Sequence, residues 1–151
     1  MPASRRTSCR SAPNAAAALR RFLDKGTPPE KLVLGLPFGG KSWAGVANAN
    51  DGLYQPFEKE ARGVRASWRA LRANALYGMQ RHWHDEAKVP WLFDPEKGIV
   101  VVYEDPESAR LKAEYARQHG LGGVMFWQVT ADDEEHGLLR SLVAGFGEAA
   151  P

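Results

Sequence analysis

The sequence predicts an α/β fold, and the prediction rests on two units in which a helical pattern runs into a short apolar segment. One unit joins a helix beginning near Asn14 to residues 31–36, and the other joins a helix beginning near Asp105 to residues 122–129. In the first unit Asn14 can cap a helix in which a run of alanines is followed by Leu19, Phe22 and Leu23 at helical spacing. Gly26 can take the left-handed conformation that stops it. Thr27, Pro28 and Pro29 form the connection. Residues 31–36 read Lys-Leu-Val-Leu-Gly-Leu and are closed by Pro37, the pattern of a strand buried on both faces.

The second unit carries the clearer signals. Asp105 can cap a helix with Pro106 at its first position, Glu107 adds favourable charge in the first turn, and Gly120 ends the helix after His119. Residues 122–129, Gly-Gly-Val-Met-Phe-Trp-Gln-Val, predict another buried strand. Asp132, Asp133, Glu134 and Glu135 then precede Leu138, Leu139, Leu142, Val143 and Phe146, as the start of a last helix favours.

Residues 38–104 have a different rhythm. Glycine and asparagine dominate 39–52, and 64–76 is predicted helical through Trp68, Leu71 and Leu76. Segments 77–83, 89–93 and 99–103 are aromatic or β-branched and read as strands. Asp94-Pro-Glu-Lys-Gly98 supplies the hairpin loop. The organisation expected is therefore a leader at 1–13, too poor in apolar residues to order itself, an α/β part at 14–37 and 105–149, and an α+β insertion at 38–104 between a strand and its following helix.

Composition narrows the function classes. With 20 basic and 18 acidic residues intermixed and a net charge of +2, the chain lacks the broad electrostatic footprint of a nucleic-acid binder. Arg5, Arg6, Arg10, Arg20 and Arg21 form a local basic stretch without interleaved aromatics, read as a solvated face. Cys9 is the only cysteine, which excludes an internal disulfide and a cysteine zinc cage, and it is given no catalytic role. His82, His84 and His136 have no carboxylate or third histidine at a metal-motif spacing, so neither a metal nor another cofactor is expected. No apolar run reaches the roughly 18 residues that span a bilayer, and Met1-Pro-Ala-Ser-Arg-Arg6 is not followed by an apolar signal core.

Three segments, in order, resemble the glycoside hydrolase family 18 chitinases: Lys31-Leu-Val-Leu-Gly-Leu-Pro-Phe38, then Ala87-Lys-Val-Pro-Trp-Leu-Phe-Asp-Pro95, then Tyr103 through Trp127 with Asp105-Pro-Glu-Ser108, Lys112-Ala-Glu-Tyr115 and Gly122-Gly-Val-Met-Phe-Trp127. The resemblance implies the C-terminal part of a (β/α)₈ TIM barrel. Residues 31–36 would be its seventh strand, 122–129 its eighth, and 38–104 the family's insertion. Such enzymes hydrolyse β-1,4-linked N-acetylglucosamine polymers with retention of configuration. A glutamic acid protonates the leaving oxygen while the sugar's own acetamido group attacks. That acid lies on a strand reading Asp-x-x-Asp-x-Asp-x-Glu, and no stretch of these 151 residues supplies it. The chain alone is therefore expected to be inert, a truncated chitinase-type glycosidase with no catalytic residue of its own. Complete members of the family are often secreted.

The resemblance also implies substrate-binding residues. Trp127 falls where the family places a tryptophan under the sugar at the cleavage subsite; the local pattern alone equally allows a core aromatic. Lys41 and Gly39 stand where relatives usually have Arg and Tyr. Gly39 removes an aromatic wall, and Lys41 keeps the charge without the planar fork, so a solvated lysine and a sugar contact are both open. Trp43 and Trp91 are candidates for flanking subsites or for insertion core. His84 stands where relatives often have Asp after Trp, which puts the local polar network in doubt. The partner class implied is chitin or its oligosaccharides. Two other readings are a non-catalytic chitin-binding module and a fragment that completes a partner's barrel. Two barrel strands cannot close a sheet, so self-association through their exposed faces is expected.

Overall fold

The computed structural model describes residues 14–147, and the leader, with Cys9, lies outside the described residues. Helix α1 (Ala15–Leu23) starts at Asn14, whose side chain accepts the Ala17 amide at 2.8 Å. A single 3₁₀ turn, Pro29–Lys31, leads into strand β1 (Val33–Pro37). The chain then builds β2 (Lys41–Ala44), β3 (Lys59–Glu60), α2 (Trp68–Ala73), β4 (Gln80–His84), β5 (Val89–Asp94) and β6 (Ile99–Val102). It closes with α3 (Pro106–Gln118), β7 (Gly123–Trp127) and α4 (Gly137–Phe146).

These strands form two sheets. β1 pairs with β7 in parallel, Val33 opposite Gly123 through Pro37 opposite Trp127. The other five make an antiparallel sheet in the order β3-β2-β6-β5-β4. The architecture is α/β, as expected, with the antiparallel sheet inserted between β1 and α3.

Helices α3 and α4 lie against one face of the parallel pair. Ala109, Ala113 and Ala116 on α3 are fully covered, and a Cβ on Gly145 of α4 would come within 2.3 Å of the Arg110 carbonyl oxygen, so small residues set how closely the two helices cross. Leu34, Leu36, Leu138 and Leu142 fill the same core, each worth about 1.5–3 kcal/mol of burial. The core continues through Phe38, Trp68 and Tyr103 to Leu92 and Val101 on the near face of the antiparallel sheet. The far face has its own cluster of Val46, Trp91, Phe93 and Val100.

The expectation of strands buried on both faces fails. β1 alternates, with Leu34 and Leu36 inside while Val33 is 55% exposed, and on β7 Met125 is 52% exposed. Helices cover only one side of this pair, and among the described residues no layer covers the other. The predicted helix at 64–76 shrinks to α2, because Ser67 caps it by accepting the Ala70 amide and Asn74 ends it. Tyr77 falls in a 3₁₀ turn at φ 56°, so the strand expected from residue 77 begins at Gln80. Strand β2 arises inside the segment read as rich in glycine and asparagine, and β3 arises at 59–60, where no element was expected. Gly40 makes β2 possible, since a Cβ there would sit 1.8 Å from the Val102 carbonyl oxygen. The hairpin loop is as expected: the Asp94 carboxylate accepts the amides of Glu96 and Lys97, both at 3.0 Å.

Candidate functional site

The C-terminal ends of the parallel strands bring Pro37 and Trp127 side by side. The Phe38 amide continues the ladder, donating to the Trp127 carbonyl at 2.8 Å, and its ring stacks on Phe126 at 4.6 Å and 7°. Phe126 thus points toward the core, and alternation turns Trp127 the other way, where it is 72% exposed. The Trp127–Gln128 peptide bond is cis. An open indole face at a strand end can lie against the apolar C–H face of a sugar ring.

The chain after Trp127 is held at the start of α4. Asp132 is fully buried, and its carboxylate accepts amides from Asp133 at 2.9 Å, Leu138 at 3.1 Å and Leu139 at 3.0 Å. Asp133 accepts the Gly137 amide at 2.8 Å. The acidic run therefore serves as helix-start charge, as its position suggested, with two of its four members taking the free amides directly.

The remaining candidates stand on the antiparallel sheet. Lys41 and Trp91 both lie opposite Val102, one on each side of β6, so they share one cross-strand row and one face. Lys41 is exposed at the start of β2. Trp43 is half-buried on the same face, its ring 5.8 Å from Phe57. Trp91 is buried in the far-face cluster, its indole N–H donating to the Asp51 carbonyl at 3.0 Å and its ring stacked on His82 at 5.0 Å. Trp127 stands apart from these three, on the other sheet.

Two histidines on β4 organise this face more than the sequence suggested. His82 packs on Trp91 with its Nδ1 3.6 Å from the Asp51 carboxylate. His84 Nδ1 accepts the Ala87 amide at 3.1 Å, so the neutral ring carries its proton on Nε2 and donates it to Tyr54 Oη at 2.5 Å. The imidazole thereby accepts a local turn amide, as an Asp carboxylate at this position could. The signal was the His-x-His alternation, but Tyr54 lies 30 residues away and nothing local marks it.

A polar network ties this sheet to α3. Asp105 and Ser108 form a reciprocal capping box, and the buried Glu104 carboxylate accepts the Ser108 hydroxyl at 2.7 Å and pairs with Lys112. Burial, and after it the nearby Asp105 charge, push the Tyr103 hydroxyl up to about 12.

The family model described as "Glycosyl hydrolases family 18" matches residues 3–132. The chain is 39% identical over 128 residues to chitinase A1 of Niallia circulans, covering 79% of this chain and 18% of that protein. It is 34% identical over 157 aligned positions to chitinase B of Serratia marcescens, covering 89% and 32%. Among solved structures, a family 18 N-acetylglucosaminidase from Paenibacillus barengoltzii superposes with a TM-score of 0.77 at 32% identity, covering 90% of this chain and 40% of that one. A family 18 chitinase from Cycas revoluta, solved in complex with (GlcNAc)3, gives a TM-score of 0.76 at 29% identity, covering 88% and 38%.

A fold of this kind with these relatives defines a glycoside hydrolase scaffold. The chain belongs to glycosyl hydrolase family 18, and it spans between about a fifth and a third of the length of the two curated chitinases it matches.

Proposed function

We propose that this chain is a portion of a chitinase-type glycoside hydrolase that binds N-acetylglucosamine oligosaccharides through Trp127 and does not cleave them by itself. In this reading β1 and β7 are the seventh and eighth strands of a (β/α)₈ barrel, residues 14–37 and 105–147 are barrel, and 38–104 is the α+β insertion; the last residues of the expected barrel part, 148–149, lie outside the described residues. The observation that carries it is the 72% exposure of a tryptophan at the C-terminal end of a parallel strand, where barrel enzymes gather their sites. Family membership and the chitinase relatives support the substrate class. Lys41 and Trp43, open on the neighbouring sheet, are the proposed flanking contacts. Trp91, being buried, contributes as support for that face.

Cleavage needs a proton donor beside the glycosidic oxygen. The Asp-x-x-Asp-x-Asp-x-Glu strand that supplies it in the family is not in this sequence. Titration of N-acetylglucosamine oligosaccharides against tryptophan fluorescence tests the binding half: saturable quenching that disappears in Trp127→Ala is expected, and equal quenching in the variant refutes the role. Sugar release by the purified chain refutes the other half.

A second reading, completion of a barrel by further strands, is favoured by the bare face of β1 and β7 at Val33 and Met125.

A further inference from the structure

Trp68 sits at the first position of α2, in the antiparallel part of the chain, yet its contacts converge on the segment that carries Trp127. Its backbone amide donates to the Phe38 carbonyl at 3.1 Å, and the Phe38 amide in turn donates to the Trp127 carbonyl at 2.8 Å. Its indole N–H donates to Asp133 Oδ2 at 2.9 Å, six residues beyond Trp127. Trp68 therefore holds the Asp133 end of the Trp127–Asp133 segment directly and is linked to the Trp127 end through Phe38. Its neighbours on α2 reinforce the Asp133 end. The Arg72 guanidinium lies 5.7 Å over the Trp68 ring and 3.7 Å from the Asp133 carboxylate, and Arg69 Nε donates to the Thr130 carbonyl at 3.2 Å. The other carboxylate oxygen of Asp133 takes the Gly137 amide, which fixes its orientation.

We propose that Trp68 is a positioning residue for Trp127, acting through the Trp68–Asp133 hydrogen bond to set where the exposed indole stands. This rests on the reading of Trp127 as a sugar platform. The physical reason is leverage: an indole that is 72% exposed has little packing of its own to fix it, so its placement depends on the backbone on either side. A role confined to the core would come from the Trp68 ring, which stacks on Tyr103 at 6.2 Å and 11° and does not require the indole N–H.

The experiment separates the two. The 151-residue chain is labelled with fluorotryptophan, and the Trp127 resonance is assigned as the one lost in Trp127→Phe. Trp68→Phe keeps an aromatic ring against Tyr103 and removes the N–H. Asp133→Asn leaves an oxygen for the Gly137 amide but presents no acceptor to Trp68. Each variant is expected to move or broaden the Trp127 resonance to the same extent, and the double variant no further than either. Each should also weaken binding of N-acetylglucosamine oligosaccharides by about two- to tenfold, the worth of one hydrogen bond. An unchanged Trp127 resonance in Asp133→Asn, or effects that simply add in the double variant, overturns the proposal; Asp133→Asn serves alone if Trp68→Phe does not fold. A resonance that responds as expected in a chain that binds no sugar upholds the positioning role and removes the binding reading instead.

Discussion

Arg81, on the edge strand β4, donates to a single oxygen of Asp105 from both Nε at 2.9 Å and Nη2 at 2.8 Å, and Asp105 is the residue that caps α3. The contact fastens the last strand of the antiparallel sheet to the helix that packs under the parallel one. Burial lowers the affinity of Arg81 for its proton, but hydrogen bonds and charge from Asp105 and Glu107 outweigh it and leave the pKa raised. Arg81→Ala would leave the buried Asp105 carboxylate with its capping partners only. It should cost about 2 kcal/mol in chemical denaturation, with Arg81→Lys recovering part because one ammonium cannot reproduce the fork.

Tyr103 gives the chain an alkaline limit. Its hydroxyl titrates near 12 in the folded state against 10.0 ordinarily, so between these values the folded chain holds a proton that the unfolded chain has lost. Stability therefore falls as pH rises from about 10 toward 12. In Tyr103→Phe that part of the slope should vanish, which denaturation midpoints at a series of alkaline pH values will show. An equal slope in both chains would mean that another group sets the limit.

Asp132 is placed to matter more than any other carboxylate of its cluster. Two amides at the start of α4, those of Leu138 and Leu139, and the Asp133 amide ahead of it point at a fully buried side chain. Replacing it with alanine leaves those donors without acceptors and removes a negative charge from the helix N-terminus, together costing about 2–3 kcal/mol. Asp132→Asn should cost less, and Glu135→Ala, at an exposed position, almost nothing in the same thermal melts.

Local chemistry made much of this fold legible. Asn14 and Asp105 cap their helices because a side-chain oxygen two or three residues before free amides is a short-range event that the sequence spells out. Strand burial was misread because Val33 and Met125 are as apolar as Leu34 and Phe126, and composition cannot tell which face finds a covering layer. β2 was invisible for a related reason: its pairing is settled by β6, more than 50 residues along the chain from Lys41, and β3 in turn forms only by pairing with β2. At the candidate site, Trp127, Lys41 and Trp43 were read by analogy of segments, whereas the links from Trp68 to Asp133 and from Tyr54 to His84 join residues 65 and 30 positions apart and carry no local mark.

The bare face of the parallel pair leads to the last prediction. Val33 and Met125 expose more than half their surfaces on the face that carries Trp127, and among the described residues each strand has only one partner, so an open ladder edge accompanies an apolar patch. Such a surface favours a second copy over water at roughly 25 cal/mol per Å² covered. The chain should therefore self-associate as its concentration rises. Val33→Thr together with Met125→Lys should weaken that association in sedimentation velocity while changing the unfolding free energy by no more than about 0.5 kcal/mol per site, as expected where no core contact is lost. A wild-type chain that stays monomeric across the accessible concentration range would show that this face is not sticky enough to pair with itself. A double variant that associates as strongly as the wild type would place the contact elsewhere.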